Sequence, residues 1–355
     1  MTSGTSTAYA VSPDSGEPWA TPGAWPVAEG IHRIPLPLPN DGLRAVNVYT
    51  IETEDGLTLV DGGWAITEGR EALAAGLRQI GRRFTDIRHF LVTHAHRDHY
   101  TLARVLGREF DARVWLGRAE RGALAAAREF RSIGADRALL VALRESGASE
   151  LVERLSAEPF DGPDPETFAD ADDWIEGDVP LAVGERTLNA VHTPGHTQGH
   201  YVFADLGAGL LFAGDHVLPT ITPSIGLEGV VSALPLGDFM ASLAKVRAMP
   251  DLRLLPAHGP VAPSAHARVE ELLAHHEHRL DQCSSLLGET PKMAYEVAQG
   301  LGWTRHERPF ASLDLFNASL AAMETKAHLD LLAARGRATR TETPEGVTYV
   351  LVKDS

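Results

Sequence analysis

The sequence predicts an α+β protein in which helices pack on sheets, followed by a small C-terminal piece of different texture. Three observations carry this reading. The first third gives a β-β-α-β-loop-α-β order, with strand-like alternation broken by turn residues. Histidine and aspartate recur in loops that follow short apolar runs. From Ala265 onward helical spacing takes over, and the chain then closes on a hairpin-like run. With 355 residues, a large α/β-type domain plus a smaller one is expected. Residues 1–27 read as a flexible lead-in, 28–264 as the main domain and 265–355 as the C-terminal domain.

Residues 45–65 read as two strands around the turn Glu54-Asp55-Gly56, the second ending at Asp61-Gly62-Gly63. A helix follows, with Thr67 as its expected N-cap and Leu73 and Leu77 on its apolar face. "IRHFLVTHAHRDHY" is a buried strand running into a histidine cluster, "TLARVLGREF" a helix and "ARVWLG" a strand. Residues 118–157 carry helical spacing and read as an insertion of two or three helices. Leu139, Leu140, Val141 and Leu143 make it a candidate apolar lid, with a purely structural role as the alternative. Residues 158–174 are acidic and Pro-rich, a loop. Strands resume at 188–191, 199–204 and 210–213; a helix spans 236–247, and "LRLLPAHG" is a last strand ending in a histidine. The tail gives a long helix, a second helix with Pro291 in its first turn, a third helix ending at Gly336, and the hairpin "TRTETPEGVTYVLV". Three helices and a β-wing form a winged-helix pattern.

Composition removes several function classes. Hydrophobic content of 44% and charged content of 23% are those of an ordinary soluble globular protein. No run approaches the 18 or so apolar residues of a membrane span. The first residues lack a basic region followed by an apolar one, so no secretory signal is expected and a cytoplasmic location fits. One cysteine, Cys283, rules out an intrachain disulfide and a cysteine-built zinc site. A net charge of −16 disfavours nucleic acid as a partner. A small-molecule substrate is expected instead, with packing or homodimerisation as the role of the C-terminal domain.

Four strand ends concentrate the chemistry. They carry His94, His96, Asp98 and His99 after "FLV"; His196 after "NAVHTP"; Asp215 after "LLFAG"; and His258 after "RLLPA". Five imidazoles and two carboxylates suit two borderline divalent cations, zinc first, with iron or manganese open. Cations held about 3.5–4 Å apart can share a hydroxide that attacks an ester, thioester or phosphoester.

"THAHRDH", with "TPGHTQGH", "AGDH" and "PAHG" following in order and "VDGG" before it, resembles the motif set of the metallo-β-lactamase superfamily over about residues 31–263. The resemblance implies an αββα sandwich with the site at one edge of two facing sheets. It implies that His94, His96 and His196 bind a first metal, Asp98, His99 and His258 a second, and that Asp215 bridges. With its C-terminal winged helix the chain resembles the lactamase-beta-like hydrolases. No cysteine stands where lactamases of the B1 class place a zinc ligand, so antibiotic hydrolysis is not expected.

Several residues have two readings. Asp61 accepts hydrogen bonds from the histidine loop or merely caps a turn. Tyr100 stands where the signature continues into small residues; it reaches the pocket, as a source of specificity, or packs beneath the loop. His216 lines the pocket and shuttles a proton, or packs. His192 and His200 read as packed or supporting histidines. His275, His276 and His278 have spacings that suit a metal, with a packed or solvated helix face preferred. The resulting expectation is a dinuclear hydrolase in which a metal-bridging hydroxide, assisted by Asp98, attacks a small or acyl-chain ester, thioester or lactone. An endoribonuclease or phosphodiesterase of the same fold is the alternative; a non-catalytic winged-helix regulator is the third reading.

Overall fold

A computed structural model of the chain describes residues 10–39, 41–133, 137–157, 164–226, 232–304 and 306–352. Among these described residues, a first sheet has seven strands in sequence order: β1 (Trp25–Ala28), β2 (Ile31–Pro37), β3 (Ala45–Thr53), β4 (Gly56–Val60), β5 (Ile87–Leu91), β6 (Arg113–Gly117) and β7 (Asp173–Ile175). Strands β1 to β4 pair antiparallel; β4 to β7 pair in parallel, because helices form the crossovers. These helices are α1 (Thr67–Gln79), α2 (Arg97–Phe110) and, after β6, α3 (Arg121–Ile133), α4 (Arg137–Glu145) and α5 (Ser149–Ala157). The second sheet holds β8 (Val179–Val183), β9 (Arg186–His192), β10 (Tyr201–Asp205), β11 (Leu210–Gly214) and β12 (Arg253–Pro256), with α6 (Pro235–Arg247) between the last two.

Alternation sorts the side chains into layers. Along β3, Tyr49 and Ile51 face the second sheet, where they meet Phe203, Phe212 and Leu255. Val46 and Val48 face the other way, onto a core shared with Leu73, Leu77, Leu102 and Leu106 of α1 and α2. The outer face of the second sheet packs on α6 and the C-terminal helices. The result is helix, sheet, sheet, helix, as expected. Tyr49 and Phe212 stitch the two sheets edge-on at 5.4 Å, a geometry worth about 0.5–1.5 kcal/mol beyond burial.

The C-terminal piece runs α7 (Ala265–Leu287), β13 (Lys292–Met293), α8 (Ala294–Gln299), β14 (Gly302–Trp303), β15 (Arg308–Pro309), α9 (Leu315–Ala334), β16 (Ala338–Thr343) and β17 (Gly346–Leu351). The helices and hairpin are those expected; β13 adds a third strand to the hairpin. Its core is continuous with the second sheet, running from Val202 and Leu254 through Val269 and Cys283 to Leu332 and Tyr349.

Several local expectations are corrected. The N-cap of α1 is Ile66, not Thr67, and it makes no side-chain capping bond. Pro291 precedes β13, so it does not open α8. Helix α2 begins at Arg97, inside the histidine signature. β2 was hidden by Pro35, Pro37 and Arg33; Pro35 is tolerated because β1 pairs only with residues 31–33 and leaves that edge free. Of the expected lead-in, residues 1–9 lie outside the described residues, and the rest is anchored to the sheet at two points. Trp19 is fully buried, and Asp14 meets Arg33 in an ion pair with no exposed side chain on either partner. Residues 134–136 of the insertion and 158–163 of the acidic loop also lie outside the described residues. Of the two readings of the insertion, Leu143 takes the structural one: it is buried in the core against which α9 and β17 pack, and only Val141 of that group is exposed.

Candidate metal centre

The site forms where β4, β5, β9, β11 and β12 end on one edge of the sandwich. β5 delivers Thr93 and His94. The chain then turns into α2, whose first turn carries Asp98 and His99, a favourable place for a carboxylate near the helix's positive end. β11 ends at Gly214, whose φ of +50° turns the chain so that Asp215 enters the site. A Cβ on Gly214 would stand 2.6 Å from His200 Nε2 and 2.8 Å from the Thr93 side chain, so only glycine fits.

Two groups result. His94, His96, His196 and Asp215 bring one ligand-type atom each within 4.8 Å of one another; Asp98, His99 and His258 do the same. His94 Nε2 and His196 Nε2 lie 2.9 and 3.1 Å from His96 Nδ1. Asp215 faces both groups. Its Oδ2 is 3.6 Å from His196 Nε2, and its Oδ1 is 3.6 and 3.4 Å from the Nε2 atoms of His99 and His258. Asp98 Oδ2 is 3.4 Å from His258 Nε2 and 3.7 Å from His99 Nε2. All seven sequence-predicted ligands therefore meet. His96 and Asp98 are the members that retain some exposure, which marks the open side of the site.

The surrounding acceptors fix four imidazoles with Nε2 inward. His258 Nδ1 donates to the Ala45 carbonyl at 2.7 Å, and His196 Nδ1 to the Ser224 carbonyl at 2.8 Å. His99 Nδ1 donates to Asp61 Oδ2 at 2.9 Å. The Thr93 hydroxyl gives its one proton to Asp61, so it accepts from His94 Nδ1 at 3.0 Å. Such outward N–H bonds are what orient metal-binding imidazoles. His99 Nε2, His258 Nε2 and Asp215 Oδ1 are buried and have no hydrogen-bond partner, although buried polar atoms rarely stay unpaired. This nitrogen and oxygen donor set fits divalent cations of the zinc class.

Charge follows the same division. Burial, with the neighbouring imidazoles, holds His94 well below its ordinary pKa, and burial takes His96 down to about 3. Burial also disfavours charge on His99, yet Asp61, Asp215 and Asp98 together push it up to about 9. His258 is likewise raised against burial, by Asp215 and Asp98. Burial would raise Asp98 and Asp215, but the facing imidazoles hold both carboxyls below their ordinary range. Buried carboxylates that stay ionised and draw positive charge onto the facing imidazoles mark a place that favours a cation.

Asp61 plays the expected role of holding the histidine loop. It accepts from the Thr93 N–H at 2.8 Å and from His99, in a left-handed conformation with φ of +62° that aspartate tolerates. Gly62 next to it lets α2 approach: a Cβ there would lie 2.6 Å from the Ala103 nitrogen. Tyr100 takes the second of its two readings and packs beneath the loop. It is fully buried in the helix-side core and donates to the Ala169 carbonyl, because a residue in the first turn of α2 on that side faces the sheet. His216 likewise packs. It is fully buried, 5.0 Å edge-on from Phe239, and burial lowers it to about 3, so it stays neutral. His200 supports rather than ligates: its Nε2 accepts from the Asp215 N–H at 3.1 Å.

Two supports escaped sequence reasoning. Glu120, 1% exposed, accepts from the Ala95 N–H at 3.3 Å, the Gly199 N–H at 2.9 Å and the Thr197 hydroxyl, so one carboxylate ties the His94–His96 loop to the His196 loop. Burial pushes its carboxyl up to about 7. Its signal was the shared trait of a polar residue just past a strand end, masked by the helical insertion that follows. The second is Asn47, whose amide donates to the Pro256 and Gly259 carbonyls at 2.9 Å each and so clamps the loop bearing His258. Asn47 accepts from Arg33, which Asp14 and the Trp19 carbonyl hold in turn.

The family model described as Metallo-beta-lactamase superfamily matches residues 41–258, more than half of the chain. The chain belongs to that superfamily. A relative across nearly the whole length is the probable metallo-hydrolase YqjP of Bacillus subtilis, 26% identical, with 85% of this chain and 91% of that protein covered. A metallo-beta-lactamase family protein from Thermus thermophilus has a solved structure with a TM-score of 0.72 at 29% identity, covering 92% of this chain and all of that one. Shorter matches include an atrochrysone carboxyl ACP thioesterase of Aspergillus aculeatus, 31% identical over 33% of this chain and 37% of that protein. As a member of the metallo-beta-lactamase superfamily with His/Asp metal-binding groups, the chain is a metal-dependent hydrolase. Among the described residues, no helix is long and apolar enough to cross a membrane.

Proposed function

We propose that the chain is a dinuclear metallohydrolase acting on a small or acyl-chain ester, thioester or lactone. One observation carries the two-metal reading: the two oxygens of Asp215 divide between the two histidine groups. His94, His96 and His196 would hold one cation, Asp98, His99 and His258 the other, and Asp215 would touch both. Zinc suits the imidazole-rich donor set best. Bound there, the pair supplies Lewis acidity and lowers the pKa of water toward neutrality.

The chain's own residues do the rest. Asp98, ionised and on the open side, is placed to accept a proton from the attacking water and pass it toward the leaving group. Asp61, Glu120 and Asn47 keep the three ligand loops in register, so little reorganisation is needed when the substrate arrives. The thioesterase named among the shorter matches supports an acyl substrate, and the net charge of −16 opposes the nuclease alternative. We read the location as cytoplasmic and the C-terminal piece as a winged helix with a packing role.

The experiment is a screen of the full-length zinc-loaded protein against acyl thioesters, lactones and phosphodiesters, with RNA cleavage followed across salt. Turnover of a thioester or lactone, lost on chelation and in Asp98→Asn, supports the proposal. Salt-sensitive RNA cleavage with no acyl turnover overturns it in favour of a nuclease.

A further inference from the structure

A second cluster of ligand-type residues lies away from the sandwich edge, at the seam between α7 and α9. His275 and His276 of α7 and Glu324 of α9 each bring a ligand-type atom within 4.8 Å of the others. The α7 histidines form a motif that the catalytic reading leaves unused.

The tautomers at this seam are set by chemistry. His328 Nδ1 lies 2.7 Å from the Glu324 backbone carbonyl, which can only accept, so His328 donates through Nδ1. His328 is fully buried and its two ring nitrogens meet a backbone carbonyl and another imidazole, not a carboxylate, so the ring stays neutral and its Nε2 is an acceptor. That Nε2 stands 3.2 Å from His276 Nδ1, which must therefore donate. His276 is left with a bare lone pair on Nε2, and this atom is buried without a hydrogen-bond partner. One nitrogen locked outward by a fixed acceptor and the other without a partner is the arrangement seen at His99 and His258. A buried acceptor left unpaired costs about 1–3 kcal/mol, which a cation at Nε2 would offset.

The seam also has a way in. His275 and Glu324 are half-buried, so the cluster reaches the surface while His276 closes it from below. Arg279, one turn along α7, and Arg268, two turns back, are the nearby positive charges that oppose a cation; Arg268 is tied to the Leu218 and Ile221 carbonyls. The Arg279 guanidinium is tied to the Gly302 carbonyl at 3.0 Å and lies over the Trp303 ring at 5.0 Å.

We propose that His275, His276 and Glu324 form a separate site for one zinc-class divalent cation, clamping α7 to α9. Two imidazoles and a carboxylate leave a coordination position for water, a donor set suited to zinc. One aromatic ring separates the clamp from the strand-end side. Phe239 lies edge-on to His276 at 5.5 Å and to His216, the neighbour of Asp215, at 5.0 Å.

The test is the zinc stoichiometry of the full-length protein after equilibration in buffered zinc, for the parent, His275→Ala and Glu324→Gln. Both substitutions fall at half-buried positions, and circular dichroism checks the fold. The expected result is one equivalent less zinc in each variant than in the parent. Cadmium NMR should show one resonance that disappears in Glu324→Gln while those of the strand-end centre persist. Equal stoichiometry in all three proteins overturns the proposal, as does a spectrum that Glu324→Gln leaves unchanged. The strand-end centre is untouched by these variants, so failure here leaves the hydrolase reading standing.

Discussion

At the strand ends, five imidazoles face two carboxylates, and Asp61 and Glu120 stand behind them. At the α7–α9 seam, two imidazoles gather around one carboxylate, with His328 behind His276 and Arg279 in the next turn. The same residue type is driven in opposite directions. Carboxylates outweigh burial at His99 and His258 and raise them, whereas at His276 and His328 burial wins and lowers both. A histidine count therefore says little about a site. What differs is the carboxylate support and the scaffold: separate strand ends can aim several loops at one point, while two helices offer only the residues that share a seam.

The sharpest way to break the comparison is to remove its centre. Asp215→Ala should lower kcat/KM by about 10⁴-fold, roughly 5 kcal/mol of transition-state stabilisation, with loss of bound metal at the strand ends by elemental analysis. The matching change at the seam, Glu324→Gln, should leave turnover nearly intact.

The next effect falls on the far support of the His258 loop. Arg33→Met leaves the buried Asp14 carboxylate without its partner. Denaturant unfolding should show about 3–5 kcal/mol of lost stability. A loss within error of zero would mean that residues 10–19 do not hold the loop.

Glu120→Ala removes the acceptor that joins two ligand loops. About 2–3 kcal/mol of stability should be lost, since a buried N–H or O–H without a partner is costly. Zinc competition should show roughly 10–100-fold weaker binding at the strand-end centre. A stability loss without a change in zinc affinity would reduce Glu120 to a scaffold residue.

These supports also mark how far the sequence could be read. The ligands were legible because each stands just past an apolar run, and a strand end fixes where the next side chain goes. So were the layers, since Val46, Val48, Tyr49 and Ile51 alternate as a strand buried on both faces must. Glu120, Asn47, Arg33 and Asp14 were not legible. Their partners lie far along the chain, as with Asn47 and Gly259, and no local pattern announces such a pairing. β2 was hidden because its prolines are tolerated only where the edge is free, which is a property of the sheet and not of the segment.

The smallest effect concerns Tyr100, the residue whose type looked most distinctive within the signature. Tyr100→Phe removes one hydrogen bond to the Ala169 carbonyl. It should cost about 1 kcal/mol in thermal or chemical unfolding and leave the order of preferred substrates unchanged. A changed substrate order would return Tyr100 to the pocket.

The central claim is that seven residues hold two cations joined by Asp215. Anomalous diffraction at the zinc edge from crystals of the full-length zinc-loaded protein tests it most directly. The account predicts two peaks about 3.5–4 Å apart, one within ligand distance of His94, His96 and His196, the other of Asp98, His99 and His258, with Asp215 reaching both. A single peak there, or two peaks of which Asp215 touches only one, would contradict it.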